Sequence, residues 1–481
     1  NSNGDTAWVR YYDGGQEFYD DAWGVAVDDS GNVFVTGSSM ESGNQFDIVT
    51  IKYNSAGVEQ WIARYEGPAD DDDEGYDIAL DDSGYIYVTG YTRSASTYTD
   101  FITIKYDNTG DTLWTATYDG PLSGLDVAHA LALDDSGNVY VTGSGNSPTY
   151  DYDYITIKYD AEGDTQWVVF YDGTDSSADD EAVDIAIGGG YIYVTGTSEG
   201  LGTSNDYVTI KYSPAGDTLW EMSYNGPGND DDNANAIVAD SIGNVFVTGG
   251  SLGPVQMDYA TIKYNFSGNI EWVSRYNGPD DDIDEAMDIV VDILGNVYVA
   301  GQSYATQPYT PEFDFLTVKY NASGVEQWTH RYNGSADSQD HMYAMATDDA
   351  GNVYVTGSSA GNTGYNDIVT IKYGVTGVNE ETGYAAYESG YKLMVSPNPF
   401  SKLTTVSFGI GHSAERIALK IYDAGGRLVK DLFLPTTYYL LPTAVSWDGT
   451  DSSGRKLPSG VYFVRLEAGD HQETKQLLLI R

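Results

Sequence analysis

The chain contains no cysteine, only five histidines, and 23 Lys plus Arg against 73 Asp plus Glu in 481 residues. Without thiols there can be no disulfide, thiolate nucleophile, iron–sulfur cluster or Cys-ligated zinc, although this alone does not identify a redox compartment. The formal charge of −50 repels nucleic-acid phosphates and anionic membrane surfaces, so neither is expected as a partner. No apolar run approaches the ~20 residues that a membrane-crossing helix needs. No segment keeps a 3.6-residue apolar period, so helix should be nearly absent. The histidines (His129, His330, His341, His412, His471) show neither HExxH nor HxxxH spacing. Nucleophile elbow, phosphate loop and dinucleotide fingerprint are also missing. These absences point away from an enzyme, although a Ser or Asp nucleophile assembled from distant segments would leave no linear signature. The start Asn1-Ser2-Asn3-Gly4 would suit a mature chain whose export signal has been removed. The length allows two or three domains.

The acid is unevenly placed. Residues 391–481 carry 11 Lys plus Arg against 8 Asp plus Glu, net +3, whereas residues 1–390 carry 12 against 65, net −53.

A repeat dominates the first 373 residues. The string GNVFVTG begins at Gly31, with relatives at Gly84, Gly137, Gly190, Gly243, Gly295 and Gly351. A second string, D-x-x-T-[IV]-K-Y, begins at Asp47, Asp100, Asp153, Asp206, Asp258, Asp314 and Asp367. A unit of about 53 residues with two Gly-Asn/Asp turns and β-branched strands reads as four short strands, for example 22–27, 33–36, 48–53 and 61–65. Seven such units describe an all-β, seven-bladed β-propeller with four-stranded blades. Trp61, Trp114, Trp167, Trp220, Trp272 and Trp328 each follow a TIKY string, but no Trp follows the seventh. The missing copy is at the other end, where Gly4-Asp5-Thr6-Ala7-Trp8 matches Gly110-Asp111-Thr112-Leu113-Trp114. The N-terminal strand should therefore be the outer strand of the last blade and close the ring, removing exposed edges. These strings resemble the seven-bladed propeller repeat of secreted bacterial proteins, over residues 1–373. The resemblance implies a fold and leaves the role open.

Residues 374–392 fall outside the repeat and read as a linker. Residues 393–481 alternate as strands of a small antiparallel sandwich. SPNPF at 396–400, WDGTDSSG at 447–454, PSGVYFVRL at 458–466 and the basic-apolar end closely resemble the C-terminal sorting domain of type IX secretion and the related Ig-like domain of flagellar hook-capping proteins. That resemblance implies export across a bacterial outer membrane and an extracellular or cell-surface location. In that family the domain is often removed; here the chain retains it.

Several residue sets are candidate sites. The acidic loops Asp70, Asp71, Asp72, Asp73; Asp179, Asp180; Asp230, Asp231; and Asp280, Asp281, Asp282 are assigned to one face and offer hard oxygen ligands for calcium, although their spacing does not match an EF-hand. The competing reading is a solvated acidic rim. On the inner strands one position reads Gly24, Asp77, Ala130, Asp184, Ala236, Asp288, Ala344. The three carboxylates would either converge near the axis on a cation or accept hydrogen bonds from neighbouring blades. Trp23, Tyr76, His129, Val183, Asn235, Met287 and Tyr343 form a variable column, and repeat-breaking positions suit a ligand better than invariant ones. Within it, Trp23, Tyr76, Tyr343 and His129 would offer aromatic faces beside carboxylates to a sugar or cationic peptide, unless they simply pack beneath loops. The loop 303–312 is the longest second-to-third connection. Recurring residues read as structural: Trp8 with the six other tryptophans, and Lys52, Lys105, Lys158, Lys211, Lys263, Lys319 and Lys372, each expected to pair with an inter-blade carboxylate.

The expected role is structural or adhesive, through protein or glycan contacts, with no cofactor required. The charge split also allows head-to-tail assembly of tail on propeller into a filament. A calcium-stabilised carbohydrate-binding module and a surface hydrolase are the competing classes.

Overall fold

The computed structural model describes residues 8, 10, 12, 14 and 19–373, apart from 41–44, 70, 95–97, 123, 147–150, 174–177, 201–203, 254, 279–281, 293, 307–310, 334–338, 348–351 and 361–365. It also describes 392–480, apart from 397–403, 410–416, 433–443, 448, 454 and 469–470. The linker expected at 374–392 lies outside the described residues but for Lys392. Every regular element among the described residues is a strand. The chain divides into two compact units, Asn1–Gly377 and Val378–Arg481.

The first unit holds seven antiparallel meanders, at 20–65, 74–118, 126–171, 180–224, 232–276, 284–332 and 340–373. They are numbered here as blades one to seven, each running inner, second, third and outer strand. Tight turns with a glycine at positive φ join inner to second and third to outer strands in blades one to six. In the first, Asp28 Oδ1 accepts the amides of Ser30 and Asn32 at 2.9 Å, and Gly31 sits at φ 76°, where a side chain would be strained. The threonines of the two recurring strings meet across the central pair of strands, as Thr142 Oγ1 with Thr156 Oγ1 at 3.1 Å.

Blades stack through apolar clusters. Ile78, Ile86, Val88, Ile102, Ile104 and Tyr106 of blade two pack on Phe34, Ile48, Ala63 and Trp61 of blade one. The same pattern repeats through blade seven. Trp8 and Tyr12 lie on Val33, Val35, Val49, Ile51 and Tyr53 of blade one, the place that Trp61 and Tyr65 take on blade two. Trp8 Nε1 donates to Ser55 O at 3.2 Å, as Trp61 Nε1 donates to Asn108 O at 3.0 Å. The N-terminal segment thus occupies the outer-strand position against blade one. Its expected ladder with the TIKY strand of blade seven falls largely outside the described residues, so that blade shows three strands. Val25 is 59% exposed where its counterpart Ile78 is 5%.

The second unit has one three-stranded sheet, Lys392–Ser396, Thr404–Gly409 and Ala444–Trp447, and one four-stranded sheet, built from Leu428–Leu432, Ile417–Asp423, Gly460–Ala468 and His471–Leu479. Its core is Leu419, Ile421, Trp447, Tyr462, Val464, Leu466, Leu477 and Leu479. The recurring-looking turn after Trp447 is held by that residue's indole, which donates to Thr450 O at 2.9 Å. Asp451 accepts the Ser453 hydroxyl at 2.7 Å and the Arg455 and Ser453 amides, and these bonds hold its carboxyl well below the ordinary range.

Candidate functional site

Each inner strand slips register once, skipping one residue. The skipped residues are Trp23, Tyr76, His129, Val183, Asn235, Met287 and Tyr343, so the variable column is a column of β-bulges. A bulge bends the strand and re-aims the extra side chain out of the alternating pattern. The last glycine of each VTG string makes room for it. A Cβ on Gly143 would lie 2.0 Å from Val127 O, and one on Gly90 would lie 1.9 Å from Glu74 O. The sequence signal was partial: Trp23, His129 and Asn235 stand between two small residues, while Tyr76, Val183 and Met287 precede an aspartate and Tyr343 follows Met342.

The bulge residues form a row from blade to blade. Trp23 and Tyr76 meet edge-on at 5.8 Å, and Tyr76 lies 6.3 Å from His129. Tyr91 joins at 5.9 Å and donates to Glu74 Oε1 at 3.0 Å. His129 Nδ1 lies 3.0 Å from Ala182 O. A carbonyl only accepts, so Nδ1 carries the proton and Nε2 remains an acceptor. Burial lowers the His129 pKa despite Glu181 at 3.8 Å, which keeps the ring neutral. Asn235 Nδ2 donates to Ala286 O at 2.8 Å. Trp23 is 58% and Tyr343 64% exposed. Tyr343 turns to Ser358 Oγ at 3.5 Å, and no described contact brings it to Trp23. Of the expected 303–312 loop, 303–306 and 311–312 are strand, a ladder that ends on Thr306 opposite Pro311.

The axial carboxylates do not assemble a ligand set. Asp77 accepts the amides of Ile78 and, from blade three, Leu131, both at 2.8 Å. Asp184 accepts Ile185 at 2.7 Å and Ile237 at 2.8 Å; Asp288 accepts Ile289 at 2.7 Å and Met345 at 2.6 Å. One carboxylate has two oxygens and serves two blades, which explains the alternation. Three aspartates cover six inner-strand amides, in blades two to seven, and blade one, the odd one of the set, is left with Gly24. Burial pushes Asp184 up to about 8, with Asp288 and Asp77 adding to the shift, and pushes Asp288 up to about 6.

The acidic loops divide their labour. Asp73 is buried and accepts the amides of Gly67 and Arg93 and the Thr92 hydroxyl. Asp71 pairs with Arg93 at 3.0 Å, and Asp72 accepts the Phe46 amide at 3.0 Å. Asp230 accepts the Ser204 hydroxyl at 2.8 Å, Asp231 lends its carbonyl to the Leu252 amide, and Asp282 caps Ile283. Asp70, Asp280 and Asp281 lie outside the described residues. Among the described residues these carboxylates and carbonyls hold turn and loop groups in place.

The lysines also depart from expectation. Lys105 and Trp114, cross-strand neighbours, both donate to Ala161 O, each at 3.1 Å. Lys158 with Trp167 does the same at Pro214 O, and Lys211 with Trp220 at Phe266 O. Lys52 contacts Asn108 alongside Trp61. For these four lysines the acceptor is in a turn of the next blade rather than a carboxylate. Each ammonium also lies over an aromatic ring, such as Tyr140 beneath Lys158 at 5.0 Å. Lys263 does form an ion pair, with Glu271 at 2.9 Å, but within its own blade. A neutral carbonyl suffices because the ring supplies the remaining negative potential at a partly buried site.

A model of the beta-propeller repeat matches residues 60–96, 120–148, 271–306 and 327–364, and one of the FlgD Ig-like domain matches 398–472. The fold is thus all-β, with propeller repeats followed by an Ig-like domain. No curated protein matches the chain. Among solved structures, PorZ, a surface component of the type IX secretion system of Porphyromonas gingivalis, aligns at 16% identity and TM-score 0.42. That alignment covers 95% of this chain and 59% of PorZ, so the chain spans less than two thirds of that protein. A polysaccharide lyase acting on ulvan aligns at 15% identity and TM-score 0.42, covering 72% of this chain and 91% of its own. Sqt1 from Chaetomium thermophilum aligns at 10% and 0.38, covering 74% and 97%. Likeness at this level carries no functional argument.

Proposed function

We propose that the protein is an extracellular binding or adhesion protein of a bacterial cell surface, with the row of bulge residues as its contact site and the Ig-like tail directing export. The row Trp23–Tyr76–His129 carries the reading. A half-exposed indole stands edge-on to a second ring, with Glu74 and Glu181 beside them. Aromatic faces bordered by carboxylates stack on the apolar face of a sugar while accepting its hydroxyls, and they also hold a cationic side chain. Bulge positions differ from blade to blade, which suits recognition, whereas the Trp and Lys columns repeat because they hold blades together. The tail's resemblance to sorting domains and the propeller's acid support an exported, soluble surface protein. We read the role as non-catalytic. The test is a glycan array run beside an array of basic peptides, with wild type and Trp23→Ala/Tyr76→Ala. Binding lost in the double variant is the expected result. Binding unchanged in the variant would remove the rim as the contact site.

A further inference from the structure

The repeat supplies its own internal comparison at the bulges. At two junctions the bulge residue of one blade sets a planar N–H group against the next blade. His129 Nδ1 of blade three donates to Ala182 O of blade four at 3.0 Å, with Glu181 Oε1 at 3.8 Å. Asn235 Nδ2 of blade five donates to Ala286 O of blade six at 2.8 Å and meets Glu285 Oε1 at 3.3 Å. An imidazole and a carboxamide thus do the same thing. Each reaches a main-chain carbonyl and the carboxylate of the residue before it. Both carbonyls belong to the residue directly before a bulge, opposite Gly196 in blade four and Gly301 in blade six.

Blade two offers the same pair of acceptors. Gly75 stands opposite Gly90 in the same register, directly before the bulge residue Tyr76, and Glu74 precedes it. The bulge residue that blade one sets against them is Trp23, and among the described residues no side chain donates to Gly75 O. The four cations of blades one and two are engaged elsewhere: Arg64 with Asp47 at 2.7 Å, Arg93 with Asp71 at 3.0 Å, and Lys52 and Lys105 at turns of the following blades. Where the sister junctions have a donor, this one has rings. Trp23 is 58% exposed and stands at 83° to Tyr76, and Tyr91 adds a third ring at 57° to Tyr76. Rings so inclined frame a corner rather than one plane on which a pyranose lies flat. Tyr91 donates to Glu74 Oε1 at 3.0 Å. Burial first, and then the Glu74 charge, push the phenols of Tyr76 and Tyr91 up, so both rings stay neutral. Asp21 holds the position of Glu74 on blade one and is exposed, which adds to the negative potential.

We infer that the corner of Trp23, Tyr76, Tyr91 and Glu74 receives the guanidinium of an arginine side chain from a basic partner. A guanidinium is the charged counterpart of the imidazole and carboxamide at the sister junctions. It is planar, it carries several N–H donors for the Gly75 carbonyl and the Glu74 carboxylate, and its face stacks on aromatic rings. A sugar hydroxyl brings no charge to balance Glu74 and Asp21, and an ammonium has no plane to stack. This assignment rests on the bulge row being the contact site, and it selects the cationic partner over the sugar.

The test titrates the full chain at low salt with short Gly/Ser peptides that carry one arginine, lysine or citrulline, read by calorimetry. Citrulline keeps the planar N–H group and loses the charge. The arginine peptide should bind about tenfold more tightly than the citrulline peptide, and more tightly than the lysine peptide. Glu74→Gln should weaken the arginine peptide about tenfold. Trp23→Asn, at an exposed position, hands this junction the amide that Asn235 supplies to blade six. It should abolish arginine binding without lowering the melting temperature. A citrulline or lysine peptide that binds as tightly as the arginine peptide would overturn the assignment. So would arginine binding unchanged in both variants. Glycan binding that Trp23→Ala/Tyr76→Ala removes, with no arginine binding by wild type, would overturn it too while leaving the row as the contact site. Binding of neither probe would remove both.

Discussion

Replacing Asp184 with alanine is the sharpest probe of the alternating inner-strand carboxylates. The substitution removes the acceptor for two amides, those of Ile185 and Ile237, on two different blades. Both residues are buried, and an orphaned buried donor costs about 1–3 kcal/mol. The two together cost about 2–6 kcal/mol. Against this stands relief of the buried carboxyl, and that term depends on pH. Burial raises the folded-state value of Asp184 from 3.8 to about 8. A raised value means the folded state holds the proton more tightly. The contribution is fully present below the unfolded value and is lost as pH climbs through the folded one. At about 1.4 kcal/mol per pH unit, the wild type forfeits at most about 4 kcal/mol from this group between pH 5 and pH 8. Asp184→Ala cannot forfeit it. The variant should therefore be less stable than wild type by about 2–4 kcal/mol at pH 5, and the gap should close towards pH 8. Urea denaturation followed by tryptophan fluorescence at pH 5, 6.5 and 8 measures both. A variant as stable as wild type at pH 5, or a gap that widens with pH, would refute the reasoning.

Three further outcomes follow from the geometry. Gly143→Ala drives a Cβ to 2.0 Å from Val127 O and should destabilise by about 3 kcal/mol or more, read as a lowered melting temperature, because the bulge that presents His129 must open. Arg275→Met strands Asp258 and strips Tyr224 and Ser251 of their contacts; about 2–4 kcal/mol should be lost in urea denaturation, and Lys should not rescue it, since one guanidinium serves all three partners. The split of −53 and +3 predicts self-association that weakens with salt. Light scattering that finds only monomers at low salt would remove the filament reading.

Much of this organisation is visible in the chain itself. The seven-fold recurrence of GNVYVTG and TIKY, the displaced Trp8 and the shift from acidic repeats to a basic-apolar tail determine the strands, their number per unit and the two-part architecture. The repeat is local, and turn chemistry and side-chain alternation act within a few residues. What the side chains face was decided only by packing. The lysines read as partners for carboxylates, yet the next blade presents a turn carbonyl while the lysine's own second strand supplies an aromatic ring, and no spacing within one repeat reveals what the neighbour offers. The aspartates at 77, 184 and 288 read as ligands or acceptors until the blades showed two amides for each carboxylate. The bulge residues were visible as the one variable column of the inner strand, but it took the slipped register to turn that column outward. Arg64, Arg275 and Arg331 pair with Asp47, Asp258 and Asp314 of their own blades, a contact that the cross-strand register and not sequence order brings about.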